Sequence, residues 1–238
     1  MQPYFPMRRT LALLLVLASI LLSVSCGSKL HTVTSLGGEY FDKKTNTTYV
    51  ALPASYEPIA RGDEYGKLDL SGVTYILHEI SGHAPTDYLC SVYGDVYHSK
   101  DISVPDFSQW HVSSMKVCTD AAITVSHMTI DPETEGHAPI LDALLSAWRD
   151  SQAVMYPSYL IAAESYTLRF ESDDAPGLYF AIMLLAYNED VYDTVVGEQG
   201  EMVESNLGRY FLYDRYSQRC VPTDDTIFRL LEGEEITP

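Results

Sequence analysis

The chain has 238 residues, with 33 acids against 15 bases and a formal net charge of −18. A surface of that sign repels phosphate backbones and anionic headgroups, which excludes nucleic acid as a partner and argues against flat electrostatic docking on a membrane. Four cysteines do not make a disulfide-dense scaffold, and a chain of this length buries an adequate core without them.

Residues 1–10 hold Arg8 and Arg9 and no acid, and Leu11 to Val24 are apolar apart from Ser19 and Ser23. A basic start, a short apolar core and a small-residue exit mark an export signal over residues 1–25. The apolar run is about 14 residues, short of the roughly 20 that a spanning helix needs. It ends in Leu22, Ser23, Val24, Ser25 and Cys26, which resembles the lipobox of bacterial lipoproteins, although that family favours Leu where this chain has Ser23. The resemblance covers only the first 26 residues. It implies a lipoprotein precursor with a diacylglyceryl group on Cys26, a tether over 26–38, and export to the outer face of a bacterial membrane. Read from Met7, the segment "MRRTLALLLVLASILLSVSC" is a compact signal, so Met7 competes with Met1 as the start. "SVS" also satisfies ordinary signal cleavage, which would leave Cys26 as an unmodified thiol. With lipid on Cys26 the remaining Cys90, Cys118 and Cys220 are odd in number, whereas without it four cysteines can close two disulfides. Lipidation is the reading adopted, and the mature charge is then about −20, since the signal removes two arginines and no acid.

The mature region spans 39–238. "EYFDKKTNTTYVALP" (39–53) reads as a hairpin about a polar turn. Residues 54–72, with Pro58, Gly62 and Gly66, read as a loop. "VTYILHEI" (73–80) is a strand by its β-branched and aromatic content. "GHAPTDYLCSVYG" reads as a short helix after Pro85, with Cys90 near its apolar side. A turn-rich stretch follows, then strands at "SMKVCTD" and "AAITVSHMTI". "GHAPILDALLSAWRD" (136–150) is the clearest helix: Pro139 suits its first turn, and Leu141, Leu144, Leu145 and Trp148 form an i, i+3, i+4, i+7 stripe.

"SYTLRFES" (165–172) alternates, with Tyr166, Leu168 and Phe170 on one face and Thr167, Arg169 and Glu171 on the other. A Pro176–Gly177 turn leads to "LYFAIMLLAYN", a strand covered on both faces. "RYFLYDRYSQRCVP" (209–222) is a hairpin about "DRYS", and "TDDTIFRLLEG" is a closing helix capped by Thr223 or Asp224. The pattern predicts an α+β fold: a mainly antiparallel sheet and hairpins with two or three short helices. If it divides, the cut falls near 130–138. "GHAP" recurs at 82–85 and 136–139, but no repeat period is visible.

No catalytic constellation stands out. "HEISGH" places His78 and His83 five apart, whereas zinc-protease histidines lie four apart on a helix face. His31, His98, His111, His127 and His137 are scattered, and nothing calls for a metal or cofactor. Cys90 with His98 or His111 is conceivable as a nucleophile and base, but a buried thiol or a Cys90–Cys118 disulfide suits the pattern better. "RGD" (61–63) and "NTT" (46–48) are short matches of the kind chance produces. Eighteen tyrosines suit half-buried strands and recognition surfaces alike. The expectation is a lipid-anchored envelope protein with a non-enzymatic binding domain, its partner another envelope protein or a glycan. The alternative is an envelope hydrolase using dispersed carboxylates, which requires a cleft with one acid of raised pKa.

Overall fold

The computed structural model describes residues 30–196 and 202–234. The export signal expected over residues 1–25, and Cys26, lie outside the described residues. The first half is a closed barrel of seven strands. These are β1 (His31–Leu36), β2 (Glu39–Asp42), β3 (Thr47–Ala51), β5 (Arg61–Leu70), β6 (Val73–Ile80), β7 (Tyr88–Ser91) and β8 (Val96–Ser99). Around the barrel they run β1-β2-β3-β8-β7-β6-β5. All pairs are antiparallel except the closure, where β1 runs parallel to β5 with His31 opposite Gly66. Gly66 suits this close approach: a Cβ there would sit 3.1 Å from the His31 carbonyl oxygen, and the neighbour would have to give way. Val33, Tyr49, Tyr65, Leu68, Leu77, Leu89 and Tyr97 fill the interior.

The strand absent from the barrel, β4 (Tyr56–Pro58), leaves it to join the second sheet. That sheet contains β9 (Val112–Asp120), β10 (Thr124–Ile130), β11 (Glu164–Ser172), β12 (Leu178–Val196), β13 (Met202–Tyr213) and β14 (Cys220–Thr223), in the order β10-β9-β11-β12-β13-β14. Beyond Ala186 the pairing of β12 with β13 breaks register. It resumes from Val191 opposite Gly208 to Val196 opposite Met202, as a two-stranded ribbon. Helix α1 (His137–Asp150) buries its predicted stripe, and α2 (Thr226–Leu231) buries Ile227 and Phe228. One core holds Leu144 and Trp148 of α1, Val117, Leu168, Phe170 and Ile182 of the sheet, and Ile80, Tyr88, Cys90 and Val96 of the barrel. The polar turn at 130–138 joins β10 to α1, and Ile130 and Ile140 on its two sides share that core.

The fold class expected from the sequence is overturned. The described residues are β-rich, 52% strand against 12% helix, with two α-helices among them. Part of the difference lies in β1, where His31–Leu36 of the expected tether are a barrel strand, in β8, and in the ribbon of β12 and β13; two further segments were expected to be a loop and a helix. Residues 54–72 are strands, because Gly62 and Gly66 serve close backbone approach within a bulged β5 rather than a loop. Pro58 is tolerated at the end of β4, whose only strand partner among the described residues is β12. Residues 82–94 are a turn and β7, not a helix. Tyr88, Leu89, Cys90 and Ser91 are all buried, so no alternation betrayed the strand. The two "GHAP" stretches share a left-handed glycine, Gly82 and Gly136, but only the second starts a helix.

One barrel contact stands out energetically. The Asp42 side chain, fully buried, accepts hydrogen bonds from Tyr65 Oη at 2.5 Å, Lys44 N at 2.8 Å and Thr45 Oγ1 at 2.9 Å, and lies 3.2 Å from His31 Nε2. It thereby ties β1, β2 and β5 at the closure. Burial pushes this carboxyl up, but the hydrogen bonds from Tyr65, Lys44 and Thr45 outweigh it and hold the group below its ordinary range. A carboxyl lowered in the folded state contributes stability that is full above the unfolded value, near ~4, and is lost as pH falls through the folded value. Asp42→Ala is expected to cost about 3 kcal/mol by urea unfolding at neutral pH. The variant's urea midpoint should also drop less than that of the wild type between roughly pH 4 and 2.

Candidate functional site

The site follows from how β12 is paired. On one side β11 accompanies it from Tyr179 to Ala186. On the other, β4 pairs with Leu178, Tyr179 and Phe180, and β13 begins only at Met183. Two strand ends therefore meet at Ala181 and Ile182. The Ala181 amide is satisfied by the Ser55 carbonyl at 2.7 Å. Ser55 Oγ then donates to Asp214 Oδ1 at 2.6 Å. Asp214 opens the tight turn after β13 and also accepts from Tyr216 N at 2.9 Å and Ser217 Oγ at 2.6 Å. Both Ser55 and Asp214 are buried. An aspartate bonded to the turn backbone two residues on is the usual chemistry of such a corner, here extended across the seam to Ser55.

The seam is hollow on both sides. An open groove of about 730 Å³ runs over Ala181 and Met183, and Glu57, Asp120, Tyr213 and Arg215 line it. A second cleft of about 440 Å³ lies between Tyr56 and Phe180 and the end of α1 at Trp148 and Arg149. Ser55, Asp214 and Tyr216 line both.

Beside the groove lies Arg169, its side chain 12% exposed. Its Nε donates to Glu57 at 2.6 Å and its Nη2 to Asp120 at 3.0 Å, while Nη1 is buried without a partner. Burial pulls the guanidinium down, but the Glu57 and Asp120 carboxylates more than offset this and raise it. For Asp120, burial pushes up and hydrogen bonds from Arg169, Thr167 and Thr124 outweigh it, leaving it below the ordinary carboxylate range. Farther along the same face, Lys116 Nζ donates to Glu171 at 2.7 Å and to Tyr179 Oη at 2.6 Å. Glycoside hydrolysis by two acids needs one carboxyl held protonated. Here two groove carboxylates share one guanidinium, and Asp120 is displaced in the opposite direction. The arrangement offers paired charges and hydrogen-bond acceptors along a trough.

The residues singled out from the sequence are not brought together here. His78 contacts the Gly62 carbonyl at 3.3 Å, whereas His83 meets the Pro176 carbonyl and the Tyr88 ring. His137 accepts from the Asp131 amide at 3.1 Å. Cys90 lies in β7 opposite Val96, His98 Nδ1 lies against the Ser99 carbonyl, and His111 pairs with Asp174. Among the described residues, no group of three or more His, Cys, Asp or Glu is placed to hold a metal. Cys90, Cys118 and Cys220 are all buried free thiols, so the Cys90–Cys118 disulfide is not formed; the two lie on β7 of the barrel and β9 of the second sheet. Burial pushes the Cys90 thiol up to about 11 and Cys220 to about 12, the reverse of a reactive thiolate. From the sequence, Arg169 belongs to a polar strand face and Asp214 to a turn. Only the turn chemistry of "DRYS" hinted at the seam, and nothing marked Arg169 as nearly buried.

Two measurements check this geometry. Ser55→Ala, which leaves Asp214 short of one partner in a buried corner, should cost about 1–2 kcal/mol by chemical denaturation. Alkylation followed by peptide mass spectrometry should leave Cys90, Cys118 and Cys220 unlabelled in the native protein and label all three in urea without reductant. Failure to label any of them in urea would indicate a bridge. No family model, no curated protein and no solved structure matches this chain.

Proposed function

We propose that the chain is an exported bacterial envelope protein, anchored by lipid on Cys26, whose folded region is a non-enzymatic binding domain that uses the groove over Ala181. The observation that carries the binding reading is the seam itself: an open groove in which Arg169 bridges Glu57 and Asp120 and the exposed Tyr216 stands at the edge. Such a lining presents fixed hydrogen-bonding groups in a preformed concavity, the usual makeup of a binding site. The anchor reading rests on the basic start, the apolar run and Cys26 in the sequence. Two acyl chains hold a protein on a bilayer stably where one is marginal, which suits the two chains of a diacylglyceryl group.

Intact mass of the membrane fraction should give a mature chain beginning at Cys26 with a diacylglyceryl-sized increment, lost in Cys26→Ala. A free N-terminal thiol at Cys26 would overturn the anchor. The detergent-solubilised protein should co-sediment with insoluble wall material from the producing cells. Ala54→Trp, which adds bulk at an exposed turn lining the groove, should abolish that sedimentation without lowering the thermal midpoint.

A further inference from the structure

We propose that the groove over Ala181 takes a neutral oligosaccharide, with the Tyr216 ring at its rim; this rests on the binding reading above. The first reason is shape. The groove of about 730 Å³ lies open over Ala181 and Met183, within the size range of small-ligand sites and roomy enough for a short sugar chain.

The second reason is charge. The chain as a whole is strongly acidic, yet the trough is close to balanced. Glu57 and Asp120 are bridged by Arg169, and Arg215 stands beside Asp214. Neither a cation nor an anion gains a strong local field there. A hydroxyl, which both donates and accepts, matches such a lining. Glu57 and Asp120 keep acceptor sites beyond the bonds they already make, because two carboxylate oxygens offer about four, whereas Asp214 already accepts four. Sugar hydroxyls can therefore donate to Glu57 and Asp120 without breaking the existing pairs.

The third reason is the ring of Tyr216. It is 63% exposed at the rim of the groove, while its backbone amide is fixed to Asp214. An exposed tyrosine presents an apolar face with a polar tip, the combination that stacks on the C–H face of a sugar ring. An extended peptide is disfavoured by the backbone. Peptide capture by strand addition needs an unpaired edge, and the amide of β12 in the gap, Ala181, is already taken by Ser55.

The test is affinity electrophoresis of the detergent-solubilised mature protein in gels containing amylose, a soluble β-1,4-glucan, xylan or mannan, with polygalacturonate as the charged comparison. Retardation by at least one neutral polysaccharide is expected. It should weaken about tenfold or more in Tyr216→Ala and in Ala54→Trp, with both variants keeping the wild-type thermal midpoint. Retardation by polygalacturonate alone, or by no polysaccharide, overturns the oligosaccharide assignment. In either case, wall co-sedimentation that is still lost in Ala54→Trp leaves the binding reading standing. Retardation that neither variant weakens overturns both the assignment and the groove as the binding site.

Discussion

The strand Leu178–Val196 has two edges, and the second sheet is organised by how they are filled. β11 satisfies one edge along the part that lies in the sheet. The other is filled in two pieces, by a short strand from the barrel segment and a long one from the C-terminal region. Buried backbone groups must be paired, so the junction between these pieces cannot be left open. Ser55 closes it with its carbonyl, and its hydroxyl binds the corner at Asp214. The sheet has a groove because two strand ends are harder to pack flush than one continuous strand.

The ion pairs on the same face are arranged to tolerate burial. A buried guanidinium is costly unless its charge is matched. Arg169 meets two carboxylates from strands on either side of it, Glu57 and Asp120. The polar cluster is therefore fixed in place by the β4–β12 and β9–β11 pairings. Barrel closure uses a related device at smaller scale, where the Asp42 carboxylate collects donors from several strands and a turn. In both places a charged group is kept inside by giving it enough partners.

Much of the fold was legible where one face of an element is wet. β6, β9, β10 and β11 carry β-branched, aromatic or alternating residues, and α1 carries a clean apolar stripe. The hairpins at 39–53 and 209–222 announced themselves by their turns. What failed was the reading of glycine and of full burial. Gly62 and Gly66 look like loop residues, yet a side chain at either would meet Glu79 or His31 across the barrel wall. Tyr88 to Ser91 have no exposed face, so they carry no period. The candidate site was almost illegible for a different reason. Its parts come from Ser55, Glu57, Asp120, Arg169 and Asp214, scattered over some 160 positions and joined only by pairing across strands. A local pattern cannot carry that information.

The departure of β4 from the barrel has a consequence for inheritance. Residues 31–99 form seven strands in a contiguous stretch, and by sequence they resemble a portable module. Yet the same stretch surrenders Tyr56–Pro58 to a sheet built from residues 112–223, and it contributes Ile80, Tyr88, Cys90 and Val96 to the core beneath that sheet. Cut at residue 100, the barrel would carry an unpaired strand and an apolar flank. A recombination event that duplicated or lost one half alone would strip the other of its pairing and core, so selection is expected to keep the two together.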